Sequence, residues 1–180
     1  MILLREAAHR RRRGARSSVR LSDAQFLDFL RILRRCEGVR FLVDRAVKFE
    51  EVDAANIVFF ARFVTYAHEA MEHFFGGLDG GYARLILDRR IGLPAVHVEI
   101  AFTAPARYGD VLRIETRAAR IGNRSAVLWY RMHHVEGGTA GRLACELKHT
   151  VVTTDLRTLT SCDMPLDVRA LLAQHLESPE

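Results

Sequence analysis

Phe49–Phe60, FEEVDAANIVFF, marks the point where an extended segment gives way to a long helix. Val43–Phe49 can run as a strand, and Asp53 and Asn56 are residue types typical of turns and helix starts. Downstream, apolar residues recur at helical spacing at Phe60, Val64, Ala67, Met71 and Phe74. The sequence therefore predicts an acidic turn, followed by a helix that buries one face and leaves its first N–H groups unpaired.

This arrangement suits the hydrolysis of a polarised carbonyl. Unpaired N–H groups at a helix start carry the positive end of the helix dipole, so they stabilise an oxyanion while Asp53 acts as nucleophile or general base. Alternatively, Asp53 only caps the turn or the helix, as aspartate often does. Glu51, two residues earlier, either disfavours the charged form of Asp53 or is solvated, and we expect it to be solvated.

Asp53–Ala61 resembles the D-x-A-G-[IV]-[VL]-[FY]-[FY] signature of the hotdog-fold acyl-CoA thioesterases of the 4-hydroxybenzoyl-CoA thioesterase type. Further motifs follow in the order and at roughly the spacing of that family: Gly92-x-Pro94-x-Val96, Phe102-x-x-Pro105-x-x-x-Gly109-Asp110 and Arg120-Ile121-Gly122-x-x-Ser125. Together the motifs span about residues 42–155. The resemblance implies hydrolysis of an acyl-CoA to the free acid and coenzyme A, with no metal or other cofactor.

For the reaction itself, the resemblance implies Asp53 as nucleophile or general base and the backbone N–H of Phe60 as the oxyanion donor. Glu69 is the second candidate carboxylate, because related enzymes of another subgroup place theirs on the central helix. Gly92 matches a glycine whose backbone approaches the substrate from the partner subunit, and a plain turn glycine is the alternative.

For the acyl group, Asn56 stands where the signature has Gly, so its side chain would crowd the substrate or donate a hydrogen bond to it. His68 stands where 4-hydroxybenzoyl-specific enzymes carry a carboxylate, and a half-buried, hydrogen-bonded histidine is the alternative. The run His68–Glu72, HEAME, resembles the H-E-A-x-E of 1,4-dihydroxy-2-naphthoyl-CoA hydrolases. Phe59 and nearby aromatic residues predict an apolar pocket wall, which suits an aromatic or medium-chain acyl group.

The predicted fold class is α+β. Alternating apolar residues predict strands near 96–102, 112–118, 126–132 and 143–151, each with one face on the core. Residues 82–91 predict a shorter helix and residues 167–176 a terminal helix. With the strand before Asp53, the resemblance implies the hotdog fold, an antiparallel five-stranded sheet wrapped around a long central helix. One helix leaves sheet edges uncovered, and the family joins them in a homodimer or homotetramer.

Three segments are predicted along the chain. Residues 1–20 form a basic tail that is expected to be disordered, because it holds seven arginines and one acid. Residues 21–40 form an appended amphipathic helix, with a capping box at Ser22 and Gln25. Residues 41–180 form the hotdog thioesterase domain. Since the net charge of +5 lies in the tail, nucleic-acid binding by the domain is not expected.

Composition excludes several other classes of protein. Cys36, Cys145 and Cys162 lie far apart, which favours neither a disulfide framework nor a zinc site and suits the cytoplasm. No apolar run reaches the ~18 residues of a membrane helix, so no membrane insertion is expected. We predict a cytoplasmic acyl-CoA thioesterase. The alternatives are a 1,4-dihydroxy-2-naphthoyl-CoA or acyl-carrier-protein thioester hydrolase, and a non-catalytic acyl-binding module recruited through its arginine-rich tail.

Overall fold

The computed structural model describes residues 40–177, which form eight strands and three α-helices. The strands are β1 (Phe41–Ala46), β2 (Ile91–Gly92), β3 (Ala95–Phe102), β4 (Val111–Ile121), β5 (Ser125–Glu136), β6 (Thr139–Val152), β7 (Thr154–Asp155) and β8 (Thr160–Ser161). The helices are α1 (Arg62–Phe75), α2 (Gly81–Leu87) and α3 (Leu166–Gln174), and a short 3-10 turn covers Phe49–Glu51.

The main sheet has five antiparallel strands in the order β1-β4-β5-β6-β3, and α1 packs against one of its faces. Every second residue of β4 and β5 is buried towards the helix, as the alternation predicts: Leu112, Ile114, Thr116, Ala118, Ala126, Leu128, Tyr130 and Met132. A smaller sheet contains β2, β7 and β8. The predicted α+β hotdog fold, a five-stranded sheet against a long helix, is confirmed.

The strand and helix that flank Asp53 are both shorter than predicted. β1 ends at Ala46 instead of Phe49, because the backbone turns where the Lys48 N–H donates to the Glu51 side chain. α1 begins at Arg62, because residues 52–58 form a hairpin turn instead of the first helical turn. The predicted buried face is therefore wrong at its start: Phe60 and Val64 are 61% and 42% exposed.

Two other predictions differ from the structure, and two more concern residues that the structure does not describe. α2 ends at Leu87 instead of Ile91, because Ile91 pairs with β7. The alternation predicts that β3 buries one face, yet only Ile100 is partly buried, because among residues 40–177 β3 is an edge strand paired with β6 alone. The predicted tail over 1–20 and the predicted helix over 21–40, apart from Arg40, lie outside the described residues. No helix within 40–177 is long and apolar enough to cross a membrane.

Candidate functional site

Asp53 lies at the tip of a tight hairpin between the 3-10 turn and α1. The Phe59 N–H donates to the Glu51 carbonyl oxygen at 2.9 Å and closes the base of the hairpin. At the tip, the Asp53 N–H donates to the Ile57 carbonyl oxygen at 2.9 Å, and the Asn56 N–H donates to the Asp53 carbonyl oxygen at 2.9 Å. These bonds fix the loop backbone without help from a regular sheet.

Asn56 adopts the left-handed conformation, with φ of 58°. This region is disfavoured for most L-residues, and glycine and asparagine adopt it most readily. The backbone therefore explains why asparagine can replace the glycine of the family signature. The Asn56 side chain is exposed, and whether it touches the acyl group stays a prediction.

The Asp53 carboxylate is exposed and faces solvent from the hairpin tip. Its Oδ1 atom accepts the backbone N–H of Ala55 at 2.8 Å, which is the geometry of an Asx turn. Its Oδ2 atom has no protein partner within residues 40–177. Oδ1 therefore caps the turn, as one interpretation of Asp53 predicts, while Oδ2 stays available to react with a substrate.

The chain that follows the hairpin presents unpaired backbone donors. Among the described residues, no acceptor receives the N–H of Phe60 or Ala61, which precede the first turn of α1. That first turn contains no acidic residue and begins with Arg62. The Phe59 and Phe60 rings lie 4.6 Å apart, and both are largely exposed. Such donors, together with the positive end of the helix dipole, would stabilise a negative charge near Phe60.

Glu51 is buried, and the prediction that it is solvated is wrong. It is only 3% exposed, and its Oε2 atom accepts hydrogen bonds from Arg45 Nη1 at 2.7 Å, the Lys48 N–H at 2.7 Å and the Tyr66 hydroxyl at 2.9 Å. Its Oε1 atom accepts from Arg45 Nη2. Burial alone would raise the pKa of the Glu51 carboxyl, but these hydrogen bonds lower it to about 2.

Arg45 joins this carboxylate to the middle of α1. Its Nε atom donates to Glu69 Oε2 at 2.7 Å, and its guanidinium carbon lies 3.7 Å from the centre of the Tyr66 ring. Burial opposes the charge of Arg45, but the bonds to Glu51 and Glu69 raise its pKa above the ordinary value. Glu69, the second candidate carboxylate, is therefore engaged in an ion pair that holds α1 to β1.

A cavity of about 310 Å³ opens between α1 and the strands β3 and β6. It is lined by Val64, Thr65, Ala67, His68, Ala95, Val98, Leu147 and His149. Burial, and secondarily the charge of His68, lower the pKa of His149, so its imidazole is neutral at pH 7. The His68 side chain is about half exposed, and its Nε2 atom lies 3.1 Å from Glu72 Oε1. Asp53 and Phe60 are not among the lining residues.

Gly92 lies on β2, opposite Thr154 of β7. A Cβ atom at this position would lie 2.6 Å from Leu156 Cδ2, so a larger residue here would make the Leu156 side chain shift. The contact with Leu156 therefore gives a reason for a small residue at position 92 that needs no partner subunit. Its predicted approach to substrate across a subunit interface stays a prediction.

The sequence did not lead us to predict that Arg45 and Tyr66 bind the Glu51 carboxylate, or that His149 lines the cavity. For Arg45 and His149, the signal was present in the alternation along their strands. Arg45 follows Phe41 and Val43 at a spacing of two residues, which places it on the face of β1 that meets α1. His149 follows Leu147 in the same way on β6. Among residues 40–177, no group of His, Cys, Asp and Glu side chains is arranged to hold a metal ion.

Comparison with known proteins gives consistent matches. The family model of the thioesterase-like superfamily matches residues 47–172. A 1,4-dihydroxy-2-naphthoyl-CoA hydrolase of Synechococcus elongatus is 35% identical over 91 residues, which cover 50% of this chain and 67% of that protein.

Solved structures agree in fold. A gentisyl-coenzyme A thioesterase aligns with a TM-score of 0.63 and 27% identity, over 73% of this chain and 98% of that one. A 1,4-dihydroxy-2-naphthoyl-CoA thioesterase from Synechocystis aligns with a TM-score of 0.66 and 23% identity, over 74% of this chain and 96% of that one.

Proposed function

Because the chain belongs to the thioesterase-like superfamily, we propose that it hydrolyses an aromatic acyl-CoA with Asp53 and the Phe60 N–H as its reactive groups. The predicted family and enzyme class, a thioester hydrolase, are confirmed by the family match and the relatives. The acyl group and the residue roles are our proposal. One observation carries it: an exposed carboxylate, fixed by its own hairpin, stands just before unpaired N–H groups at a helix start.

The chemistry uses the electrophilic carbonyl carbon of the thioester. In one route, an Asp53 oxygen attacks this carbon, the carbonyl oxygen becomes an oxyanion that accepts the Phe60 N–H, and the C–S bond breaks. Coenzyme A leaves as a thiolate and takes a proton from solvent, and water then cleaves the acyl anhydride on Asp53. In the other route, Asp53 removes a proton from a water molecule that attacks the same carbon.

The cavity between α1, β3 and β6 is our candidate for the acyl site. Its lining is apolar apart from Thr65, His68 and His149. Neutral His149 offers one donor and one acceptor nitrogen, which suits a ring hydroxyl better than a plain alkyl chain. The matched relatives named for 1,4-dihydroxy-2-naphthoyl-CoA and gentisyl-coenzyme A support a hydroxylated aromatic acyl group.

The exposed edge of the sheet supports the proposal of a homodimer. Within residues 40–177, β3 pairs with β6 on one side only, and its apolar residues Val96 and Phe102 are 59% and 50% exposed. Two copies joined along β3 would cover these side chains and place a partner wall beside the acyl cavity. We infer that the active form is this dimer or a tetramer built from it.

Cys145 and Cys162 are free thiols, which supports a cytoplasmic location.

Thiol release from acyl-CoA substrates tests the function. We expect Asp53→Asn to lower kcat about 10²–10⁴-fold, because the amide can neither attack nor accept the proton of water. Glu50→Gln is the matched control: it neutralises an exposed acid three residues away and should keep the rate. Full turnover by Asp53→Asn would contradict the proposal.

A substrate panel separates the alternatives. Binding of acyl-CoA without hydrolysis would favour an acyl-binding module, and faster release from acyl-carrier protein than from coenzyme A would favour the carrier protein as substrate. A chain that lacks residues 1–20 should keep its rate on small acyl-CoAs if the tail serves only recruitment.

A further inference from the structure

The buried carboxylate of Glu51 connects the hairpin that carries Asp53 to the helix that follows it. We propose that Glu51 is a positioning residue, which sets the placement of Asp53 relative to the Phe60 N–H. This role rests on the proposed function of those two groups. Glu51 itself does not meet the substrate, since it is 3% exposed and hydrogen-bond donors surround both of its carboxylate oxygens.

Glu51 holds both stems of the hairpin. Its carbonyl oxygen accepts the Phe59 N–H at 2.9 Å, so the residue directly before Phe60 is fixed to it. Its side chain accepts the Lys48 N–H at 2.7 Å, which ends β1 and starts the turn that leads to Asp53. A shift of Glu51 would therefore move the two stems, and with them the carboxylate at the tip and the N–H groups after it.

The same carboxylate also reaches α1. The Tyr66 hydroxyl donates to Glu51 Oε2 at 2.9 Å, and Tyr66 lies one turn after the start of the helix at Arg62. Arg45 adds a second link, since it binds Glu51 through its terminal nitrogens and Glu69 through Nε. The direction of the helix start is thus tied to the base of the hairpin by side chains of β1 and α1.

The negative charge of Glu51 is needed for this arrangement. Among residues 40–177, all partners of its carboxylate are donors: Arg45, the Lys48 N–H and the Tyr66 hydroxyl. A glutamine at position 51 would have nearly the same shape, but its NH₂ group would face donors and leave a buried guanidinium short of an acceptor. Glu51→Gln therefore loosens the link without creating a cavity.

The test combines Glu51→Gln with Asp53→Asn. A displacement near 1 Å costs on the order of 10²-fold in rate, so we expect kcat of Glu51→Gln to fall by about tenfold or more. The KM should change by less than about threefold, since the acyl cavity does not include Glu51. In the Asp53→Asn background, Glu51→Gln should cause little further loss, because the group that it positions is already inactive.

Glu115→Gln is the matched control for a merely structural effect. Glu115 is also a buried acid, 6% exposed, and it binds Arg117 on β4. We expect this variant to lose stability and keep kcat at a temperature where circular dichroism shows that it is folded. If Glu51→Gln does not fold, Tyr66→Phe removes one hydrogen bond to Glu51 and should still lower kcat several-fold.

The outcomes separate the two proposals. An unchanged kcat in Glu51→Gln would overturn the positioning role. Equal fold losses from Glu51→Gln with Asp53 present and with Asn in its place would overturn that role too, while the proposed function stands. Full turnover by Asp53→Asn alone would overturn the proposed function and the positioning role with it. For Tyr66→Phe, an unchanged kcat would count against the positioning role.

Discussion

The Oδ1 atom of Asp53 accepts the backbone N–H of Ala55 at 2.8 Å, so the carboxylate that we assign to catalysis also closes the turn that carries it. The two oxygens of this side chain have different surroundings. Oδ1 is used within the loop, and Oδ2 has no partner within residues 40–177. Substitutions of Asp53 can therefore test its role in the turn separately from its role in catalysis.

Asp53→Asn and Asp53→Ala should differ in stability. Asparagine keeps a carbonyl oxygen that accepts the Ala55 N–H, whereas alanine removes the acceptor. We expect the free energy of unfolding to fall by about 1 kcal/mol in Asp53→Ala and to stay nearly unchanged in Asp53→Asn. Urea unfolding followed by circular dichroism measures both. Equal stabilities for the two variants would show that the turn does not depend on this hydrogen bond.

The left-handed backbone at Asn56 makes a second stability prediction. With φ of 58°, this position accepts glycine without strain but not alanine. Asn56→Ala should lower the free energy of unfolding by about 1–2 kcal/mol, while Asn56→Gly should lie close to the wild type. Thermal and urea unfolding of these two variants measure the difference in stability. An Asn56→Ala variant as stable as Asn56→Gly would contradict the left-handed conformation of residue 56.

The acyl cavity predicts a selective loss of activity in Val98→Trp. Val98 lines the cavity from β3, so the larger side chain should exclude a bicyclic acyl group and spare a short one. We expect kcat/KM to fall about tenfold or more for an aromatic acyl-CoA, with little change for acetyl-CoA. Glu99→Trp is the control, because neighbouring residues of a strand face opposite sides. A parallel loss on both substrates would indicate damage to the edge strand instead.

The buried Glu51 predicts acid sensitivity between about pH 4.5 and pH 2. Its pKa is about 2 in the folded chain against an ordinary 4.5, so the folded state binds fewer protons than the unfolded state in this window. The stabilisation is present above pH 4.5 and is lost as the pH falls towards 2. Urea unfolding at several pH values should show that the free energy of unfolding declines less for Glu51→Gln than for wild type as the pH falls. Glu50→Gln, at an exposed position, should show the same decline as wild type. The same decline in Glu51→Gln would refute the low pKa of Glu51.

Local patterns predicted most of the sheet. The period of two in residues 112–118 and 126–132 appears as alternating burial in β4 and β5, because each strand has neighbours on both sides and a helix over one face. The same period failed at β3, since an edge strand in one chain has too little around it to bury a face. Alternation predicts which side chains share a face, and topology decides whether that face is covered.

The sequence by itself determined the family, the hotdog fold and the place of an acid before the central helix, because short-range periodicity and ordered motifs are written in neighbouring residues. Only the tertiary structure decided that residues 52–58 form a hairpin, that Glu51 is buried, and that His149 faces a cavity. Those facts depend on contacts between segments far apart in the chain. The ion pair between Arg45 and Glu69 joins residues 24 positions apart, and no local pattern specifies such a partner.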